Sequence, residues 1–304
     1  MKKVISIFIL LATLFIGLSC SSDEEPEQEQ EQKFLPFSDP ENTGNWKLNE
    51  NISDEFEDEV LNENQWLIQG RNGEYQSNFI GRAPSQFSTD NVRIEDGILK
   101  LETRWEPDFP FSGNVQTYGD GSSYKYENIT TAAVISKSLF RYGYMEIRCK
   151  ATDASVSSAF WTTGDKSELD IFEFIGKPKQ QHKIHLEKEY KFSIHDWSPE
   201  VSGKTVWTDK AQLDWRVADD FHVYGCEWTS DGLKFYADGQ LIRSATVEQI
   251  EAEATEHSNG SAWVLTKPLQ IWFDVETFPW HGLPFEEDLP MDFEIDYLRV
   301  WQQN

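Results

Sequence analysis

Apolar and polar residues alternate in short runs along most of the chain from Trp46 onward. In the run 144–150, the apolar residues Met145, Ile147 and Cys149 alternate with polar neighbours. This period of two is typical of a strand that buries one face. Similar runs predict strands at Val92–Glu95, Gly97–Thr103, Ala132–Ser136, Tyr142–Lys150, Leu169–Phe174, His222–Trp228, Leu233–Ala237 and Phe293–Trp301.

One segment, residues 247–256, has a convincing helical pattern, and we expect that helix to lie on the outside. Because helices are not interleaved with the strands, the pattern predicts an all-β sandwich of two packed antiparallel sheets. No second linker interrupts the strands, so residues 46–304 are predicted to form one domain. We expect this domain to be monomeric.

Composition and charge narrow the classes of partner. The 304 residues include 12 Trp, 10 Tyr and 20 Phe, which is enough to bury a full core. The net charge of -26 would repel nucleic acid and any anionic membrane surface. We therefore expect no nucleic-acid partner.

The first 45 residues differ in character from the rest. Residues 1–19 have two lysines followed by an apolar stretch, which indicates a signal peptide. The small residues before Cys20 resemble a bacterial lipoprotein processing site, so we expect a lipid on Cys20 to anchor the exported protein to the outer membrane. An ordinary secretory signal is the alternative. Residues 20–45 are acidic and Gln-rich, as expected of a solvated tether.

Two cysteines, Cys149 and Cys226, remain beyond the predicted signal segment. Export would permit a disulfide, but a domain of this size does not need one. We expect two buried free thiols.

Three carboxylates, Glu168, Asp170 and Glu173, interrupt an otherwise apolar run. Acidic side chains are disfavoured in strands and costly on a half-buried face, so this cluster indicates function. Strict alternation would send Glu173 to the opposite face. One extra residue around 171–172, a β-bulge, would return it to the face of the other two and leave one of the two apolar residues in the core.

Paired carboxyl groups are the machinery of glycosidic bond cleavage. Retaining enzymes place them about 5–5.5 Å apart and inverting enzymes roughly 6.5–9.5 Å apart, and the sequence spacing alone does not choose between them. Among three carboxyl groups on one face, one is expected to hold a proton near neutral pH, as a general acid must. No spacing indicates catalytic zinc or a phosphate-binding loop, so we expect catalysis without a cofactor.

The run Glu168–Glu173 resembles the catalytic signature of glycoside hydrolase family 16. This resemblance implies a β-jelly roll with a concave substrate groove and a retaining mechanism. It also implies that Glu168 is the nucleophile, Glu173 the general acid/base and Asp170 the assisting carboxylate. Further segments that resemble the family, in order, are Ser53–Phe56, Asp96–Leu99, Tyr142–Arg148, Phe221–Trp228 and Phe293–Val300.

Two segments bear on the substrate. Residues 81–87 and 274–282 resemble the agarase and porphyranase branch of the family, which implies an endo-acting hydrolase of red-algal galactan. The alternatives are a carrageenan-type or furcellaran-type galactanase and a β-1,3-glucanase. A surface glycan-binding lipoprotein and a structural or adhesive lipoprotein are the alternatives outside the enzymes.

Several residues are candidate substrate contacts. Aromatic rings can stack on sugar faces, and histidines can form hydrogen bonds with sugar hydroxyls. For each candidate aromatic residue or histidine, a structural role in the protein is the alternative. The resemblance places Trp161 on the floor of the glycone subsites. The candidates are Trp105, Trp161, Trp197, Trp280, His185, His195, Glu276 and Arg82.

Sulphated sugar units would need basic partners, and the candidates are Arg71, Arg82, Arg104 and Lys183, with surface ion pairing as the alternative. The resemblance also implies a structural calcium on the convex side, where Gly97 and Asp296 match the family positions. Such an ion would stabilise the fold and take no part in the chemistry.

Overall fold

The computed structural model of the chain describes residues 34–201, 204–254 and 261–303. The predicted signal peptide, the predicted lipid site at Cys20 and most of the predicted tether lie outside these residues. Within the described part, no helix is both long and apolar enough to cross a membrane.

Strands dominate the described residues. They are β1 Lys47–Leu48, β2 Trp66–Ile68, β3 Ser85–Phe87, β4 Val92–Glu95, β5 Ile98–Trp105, β6 Val115–Thr117, β7 Ser123–Lys125, β8 Ile129–Thr131, β9 Ala133–Ser136, β10 Gly143–Lys150, β11 Ser157–Gly164, β12 Ser167–Ile175, β13 Glu189–Asp196, β14 Lys204–Gln212, β15 His222–Trp228, β16 Gly232–Ala237, β17 Gln240–Thr246, β18 Gln270–Glu276 and β19 Met291–Gln302. Short 3-10 helices span Arg71–Gly73, Gln76–Asn78, Thr89–Asn91, Gln181–Lys188, Pro279–His281 and Glu286–Asp288.

The strands form two large sheets. A ten-stranded sheet, the outer sheet, runs β17-β16-β15-β10-β19-β5-β8-β3, with β1 also paired to β19 and β4 to β5. A seven-stranded sheet, the groove sheet, runs β14-β13-β12-β11-β18-β9-β2, and β6 with β7 forms a separate ribbon. The predicted antiparallel sandwich is confirmed, although β3 pairs with β8 in parallel at one edge.

The core fills the space between the two sheets. Met145 and Ile147 of the outer sheet and Leu169 and Ile171 of the groove sheet are fully buried in one cluster. Aromatic rings also join the layers, since Phe192 of β13 stacks on Phe235 of β16 with ring centroids 4.0 Å apart. Burial of this apolar surface holds the sandwich together at roughly 25 cal/mol per Å².

The two cysteines are free and buried, as predicted. They lie on the adjacent strands β10 and β15, where Cys226 is opposite Met145 and Cys149 is opposite His222. Because they are not paired in register, the strands hold the two sulphur atoms at different levels of the sheet.

The predicted helix forms as α1, Val247–Glu253, and Ala254 is already extended. Thr246 and Gln249 make a capping box that satisfies backbone N–H groups at its start. Ile250 is its buried anchor. The last two residues of the predicted helix lie outside the described residues.

The compact unit begins at Leu35, earlier than the predicted domain boundary at residue 46. The backbone N–H of Phe37 donates a 2.8 Å hydrogen bond to the buried Glu146 carboxylate, and Trp46 packs with Tyr144 in an aromatic cluster. Residues 35–45 are therefore part of the domain rather than of the tether. Composition gave no sign of this, because the contacts are made with strands about a hundred residues away.

Candidate active site

A β-bulge in β12 positions the predicted catalytic carboxylates. Along the pairing with β11, Phe160 is opposite Phe172, but the next residue, Trp161, is opposite Asp170. Ile171 is therefore the extra residue of the bulged strand. An extra residue shifts the alternation of side chains by one position, so all three carboxylates reach the same face.

The bulge prediction is confirmed, with one correction to its detail. Both Ile171 and Phe172 are buried in the core, whereas only one of them was expected there. The backbone of the bulge lets two successive apolar side chains point inward. Glu168, Asp170 and Glu173 all line the groove on the opposite face.

Each carboxylate has a different environment. The indole Nε1 of Trp197 donates a 2.9 Å hydrogen bond to Glu168 Oε2. His195 Nε2 lies 3.0 Å from Asp170 Oδ2. Among the described residues, Glu173 has no hydrogen-bond or ion-pair partner, and its carboxyl group faces the groove. Its carboxyl group is therefore accessible to a bound ligand.

Burial raises the pKa of both Glu168 and Glu173 well above the usual range of a carboxyl group. Repulsion from Asp170 raises both pKa values further. The interaction with His195 and, to a lesser extent, the Trp197 hydrogen bond lower the pKa of Glu168, and the Lys191 charge lowers that of Glu173. At neutral pH the cluster therefore retains a proton.

The carboxylates lie where two cavities meet. One, of about 840 Å³, extends over β13 and β14 and is lined by Lys183, Lys191 and Lys210; we call it the lysine half. The other, of about 570 Å³, extends over β11 and β18 and is lined by Trp161 and Trp272; we call it the tryptophan half. Together they form an open groove that crosses the strands.

A second acidic pair lies on β18, two strands from the carboxylates of β12. Trp161 Nε1 donates a 2.7 Å hydrogen bond to Asp274 Oδ2, and Arg82 Nε lies 3.3 Å from Glu276 Oε2. Burial raises the pKa of both carboxyl groups. Trp161 also packs on Trp272 with ring centroids 4.7 Å apart, so the floor of the tryptophan half is fixed.

Arg82 is held between aromatic rings as well as by its ion pair. Its guanidinium lies 4.8 Å from the Phe278 ring centroid and 5.5 Å from that of Trp280. Trp280 in turn contacts Tyr118 edge-on. The Arg82 charge is therefore fixed at the boundary of the two halves.

The structure brings most of the predicted substrate contacts into the groove. Those that line it are Trp161, Trp197, Trp280, His185, His195, Glu276 and Arg82. Trp105 is the exception, because it ends β5 in the outer sheet and lines neither half. Alternation along a strand shows which side chains are buried but not which sheet the strand joins.

Many lining residues of the groove were not predicted as site residues, and four of them matter for the arguments below: Trp272, Asp274, Lys191 and His281. Asp274 had a usable signal, since acidic and apolar residues alternate in β18 as they do in β12. The other three carry no such signal.

Two of the four candidate sulphate ligands lie elsewhere. Arg71 pairs with Glu63 at 2.9 Å, Arg104 pairs with Glu102, and neither arginine lines a half of the groove. These two are surface ion pairs, the alternative stated for them.

The candidate calcium ligands are only partly suited to a cation. Gly97 forms the turn between β4 and β5 with a φ of 75°. Asp296 Oδ2 already accepts a 2.6 Å hydrogen bond from Arg148. Within the described residues, the one group of three His, Cys, Asp or Glu side chains close enough to share an ion is Glu168, Asp170 and His195. The calcium site stays a prediction.

Comparison with known proteins agrees with this geometry. The family model described as "Beta-porphyranase A-D, GH16 domain" matches residues 46–303. The chain therefore belongs to glycoside hydrolase family 16, in its agarase and porphyranase branch, and is a glycosidase. Its sandwich is the β-jelly roll of that family.

Beta-porphyranase B of Zobellia galactanivorans is 30% identical over 324 residues, which cover 99% of this chain and 98% of that protein. The crystal structure of porphyranase B from the same organism matches with a TM-score of 0.63 at 26% identity, covering 84% of this chain and 92% of that one. A β-porphyranase from the human gut bacterium Bacteroides plebeius matches with a TM-score of 0.66 at 25% identity, covering 84% and 91% of the two chains.

Proposed function

We propose that this glycosidase is an endo-acting hydrolase of β-linkages in red-algal galactan of the agar and porphyran type, and that it retains the anomeric configuration. The observation that carries the proposal is the bulged strand β12, which sets three carboxylates on the floor of an open groove. An open groove suits attack within a polysaccharide chain. The β-porphyranase relatives support the choice of galactan.

In the first step, a carboxylate oxygen of Glu168 attacks the anomeric carbon of the sugar in the groove. The glycosidic C–O bond breaks, and the Glu173 carboxyl group gives its proton to the leaving oxygen. Glu168 becomes covalently bound to the sugar. The Trp197 hydrogen bond favours the ionised Glu168 that this attack needs. Burial raises the pKa of Glu168 to about 8 and that of Glu173 to about 7, so the two pKa values do not by themselves place the proton. We assign it to Glu173, because its carboxyl group faces the groove without a hydrogen-bond partner among the described residues.

In the second step, water replaces the leaving group. Glu173, now ionised, takes a proton from the water as its oxygen attacks the anomeric carbon, and the bond to Glu168 breaks. Two inversions give net retention. Asp170 lies between the two glutamates in sequence, and its charge raises the pKa of each. Asp170 therefore favours the protonated carboxyl group from which the substrate receives its proton.

The test is product analysis on porphyran, agarose, κ-carrageenan, furcellaran and laminarin, with Glu168→Gln in parallel. We expect a rapid loss of viscosity and galactan oligosaccharides from porphyran or agarose, both abolished in the variant. NMR of the first product should show the β-anomer before mutarotation. Cleavage of laminarin alone would instead identify a glucanase, and binding without cleavage would identify a lectin-like protein.

We also propose the location predicted from the N-terminus: export, a lipid on Cys20 and attachment to the outer membrane as a monomer. Metabolic labelling with a palmitate analogue should mark the wild-type chain and not Cys20→Ala. Globomycin should block its processing, and an unlabelled, fully processed chain would refute the proposal.

The structural calcium stays a proposal too, carried by the family resemblance of Gly97 and Asp296. Metal analysis of the purified protein should find about one calcium per chain, and EGTA should lower its melting temperature. A metal-free protein with an unchanged melting temperature would refute it.

A further inference from the structure

The two halves of the groove differ in how their charges are paired. In the lysine half, both acidic residues other than the three carboxylates of β12 form ion pairs. Glu189 pairs with Lys210 at 2.7 Å, and Asp209 pairs with Arg243 at 2.6 Å. These pairs use one of the three lysines and both of the non-catalytic acids that line this half. Among the described residues, neither of the two other lysines has a carboxylate partner.

Lys191 is the first of these two lysines. It lies on β13, exposed, and among the described residues it has no hydrogen-bond or ion-pair partner. Its charge lowers the pKa of Glu173, so its ammonium group is close to the catalytic cluster. An unpaired cation beside a reactive carboxyl group is available to a charged ligand.

Lys183 is the second. Its Nζ atom donates a 2.5 Å hydrogen bond to the backbone carbonyl of Trp280 and lies 3.3 Å from His281 Nδ1. These contacts fix the ammonium group without neutralising its charge. The lysine half therefore keeps two positive charges, one positioned and one free to adjust.

At His281, beside Lys183, there are more hydrogen-bond donors than acceptors. Trp280 Nε1 donates to His281 Nε2 at 3.1 Å while Lys183 Nζ approaches the other ring nitrogen. A neutral imidazole accepts at only one nitrogen. Burial and the charges of Lys183 and Lys191 lower the pKa of His281 to about 4, so the ring is neutral at pH 7. One donor therefore lacks an acceptor that a ligand oxygen could supply.

We propose that Lys183 and Lys191 form a binding site for the sulphate ester of a galactan unit in the lysine half of the groove. A sulphate ester carries one negative charge and three acceptor oxygens, which matches two unpaired ammonium groups and a donor in excess. The site rests on the proposed galactanase function. Because Trp161 is expected in the glycone subsites, the lysine half receives the leaving group.

This placement makes a prediction about the products. After cleavage, the part of the polysaccharide that was the leaving group carries the new non-reducing end. In a galactan that mixes sulphated and neutral units, wild-type products should therefore begin with a sulphated unit at the non-reducing end. The variants below should lose that preference.

The test compares the ratio of kcat/KM on porphyran to kcat/KM on agarose. Lys191→Gln and Lys183→Gln should each lower this ratio about 10-fold, and the double variant about 100-fold, since each removes a charge-assisted contact. The matched control is Lys267→Gln, an exposed lysine that lines neither half of the groove. It should leave the ratio unchanged. An unchanged ratio in the double variant would overturn the site.

A binding experiment separates failure of the site from failure of the proposed function. Sulphated and neutral galactan tetrasaccharides are titrated into Glu168→Gln by calorimetry, with and without the two lysine substitutions. Salt should weaken binding of the sulphated ligand more than that of the neutral one. If the protein cleaves agarose but never prefers sulphated ligand, only the site is wrong. If it neither binds nor cleaves any galactan, both proposals are wrong.

Discussion

Both sheets of the sandwich hold glutamates whose pKa is raised by burial, but only those of the groove sheet face an open cavity. In the outer sheet, burial raises the pKa of Glu146 to about 7. Glu146 accepts hydrogen bonds from the Tyr297 hydroxyl at 3.0 Å, the Tyr144 hydroxyl at 3.3 Å and the Phe37 backbone N–H at 2.8 Å. Its surroundings are filled by protein.

In the groove sheet, Glu168 and Glu173 have raised pKa values for an additional reason, which is repulsion from Asp170. Their side chains are partly exposed to an open cavity, and Glu173 has no hydrogen-bond partner among the described residues. A raised pKa by itself therefore does not identify an active site. Mutual repulsion and an open cavity distinguish the two proposed catalytic glutamates from Glu146.

The largest expected effect is on activity. Glu168→Gln should lower kcat on galactan by at least about 10⁴-fold, because the nucleophile is lost. The matched variant in the outer sheet, Glu146→Gln, should keep at least half of wild-type kcat. Initial rates measured by reducing-end release test both, and comparable losses in the two variants would contradict the comparison.

Glu173→Gln should lower kcat on galactan about 10²–10⁴-fold, since the proton donor is lost. The loss should be much smaller on an aryl glycoside whose leaving group needs no proton. Added azide should partly restore turnover of that substrate and give a glycosyl azide of retained configuration. Equal losses on both substrates would mean that Glu173 is not the acid.

Glu146 should make stability depend on pH. Its pKa is raised from 4.5 to about 7 in the folded state, so the stabilising contribution is complete below about pH 4.5 and is lost as the pH rises to 7. Glu146→Gln should therefore raise the free energy of unfolding at pH 8 by about 3 kcal/mol, with little change at pH 4.5. Urea denaturation at the two pH values measures this; equal effects at both would contradict it.

Glu168→Gln should shift stability in the same direction, because the pKa of Glu168 is also raised on folding. The two substitutions are thus expected to change the free energy of unfolding in the same direction, so stability alone does not separate Glu168 from Glu146. Both substitutions should stabilise the protein at alkaline pH, whereas only the groove substitution should abolish catalysis.

A smaller effect is expected at Asp274, which positions Trp161 rather than touching the scissile bond. Asp274→Ala removes the acceptor of the Trp161 indole and should raise KM about 5-fold to 10-fold with kcat nearly constant. Asp274→Asn should be nearly silent, because burial raises the pKa of Asp274 and an amide oxygen can accept the same bond. If Asn and Ala behave alike, the hydrogen bond is not the reason.

The smallest effect is expected at the two thiols of the outer sheet. Cys149 and Cys226 are buried, and burial raises the pKa of both, so neither forms a reactive thiolate. In a Cys20→Ser background, a thiol reagent should label neither cysteine in the folded protein and both after unfolding. Rapid labelling at native pH, with loss of activity, would contradict this.

The sequence predicted the outer sheet better than the groove sheet. Of its strands, β4 and β15 match their predicted bounds, and β10 and β19 begin or end within two residues of them. In the groove sheet, the bounds of β2, β11, β13, β14 and β18 were not predicted, which is five of its seven strands; in the outer sheet, those of β1, β3, β8 and β17 were not, which is four of ten. The outer strands mostly alternate cleanly, whereas groove strands carry Trp, Asp, Lys and His on the face that lines the groove, which obscures the apolar pattern.

What the sequence determined by itself was local. Alternation set the all-β class, and the spacing of Glu168, Asp170 and Glu173 required a bulge, which forms at Ile171. The tertiary structure alone decided which strands join which sheet, so it excluded Trp105 from the groove and brought Lys191 of β13 and His281 together. Side-chain alternation is a property of each strand, but strand order depends on which apolar faces pack, and that is settled only when the core forms.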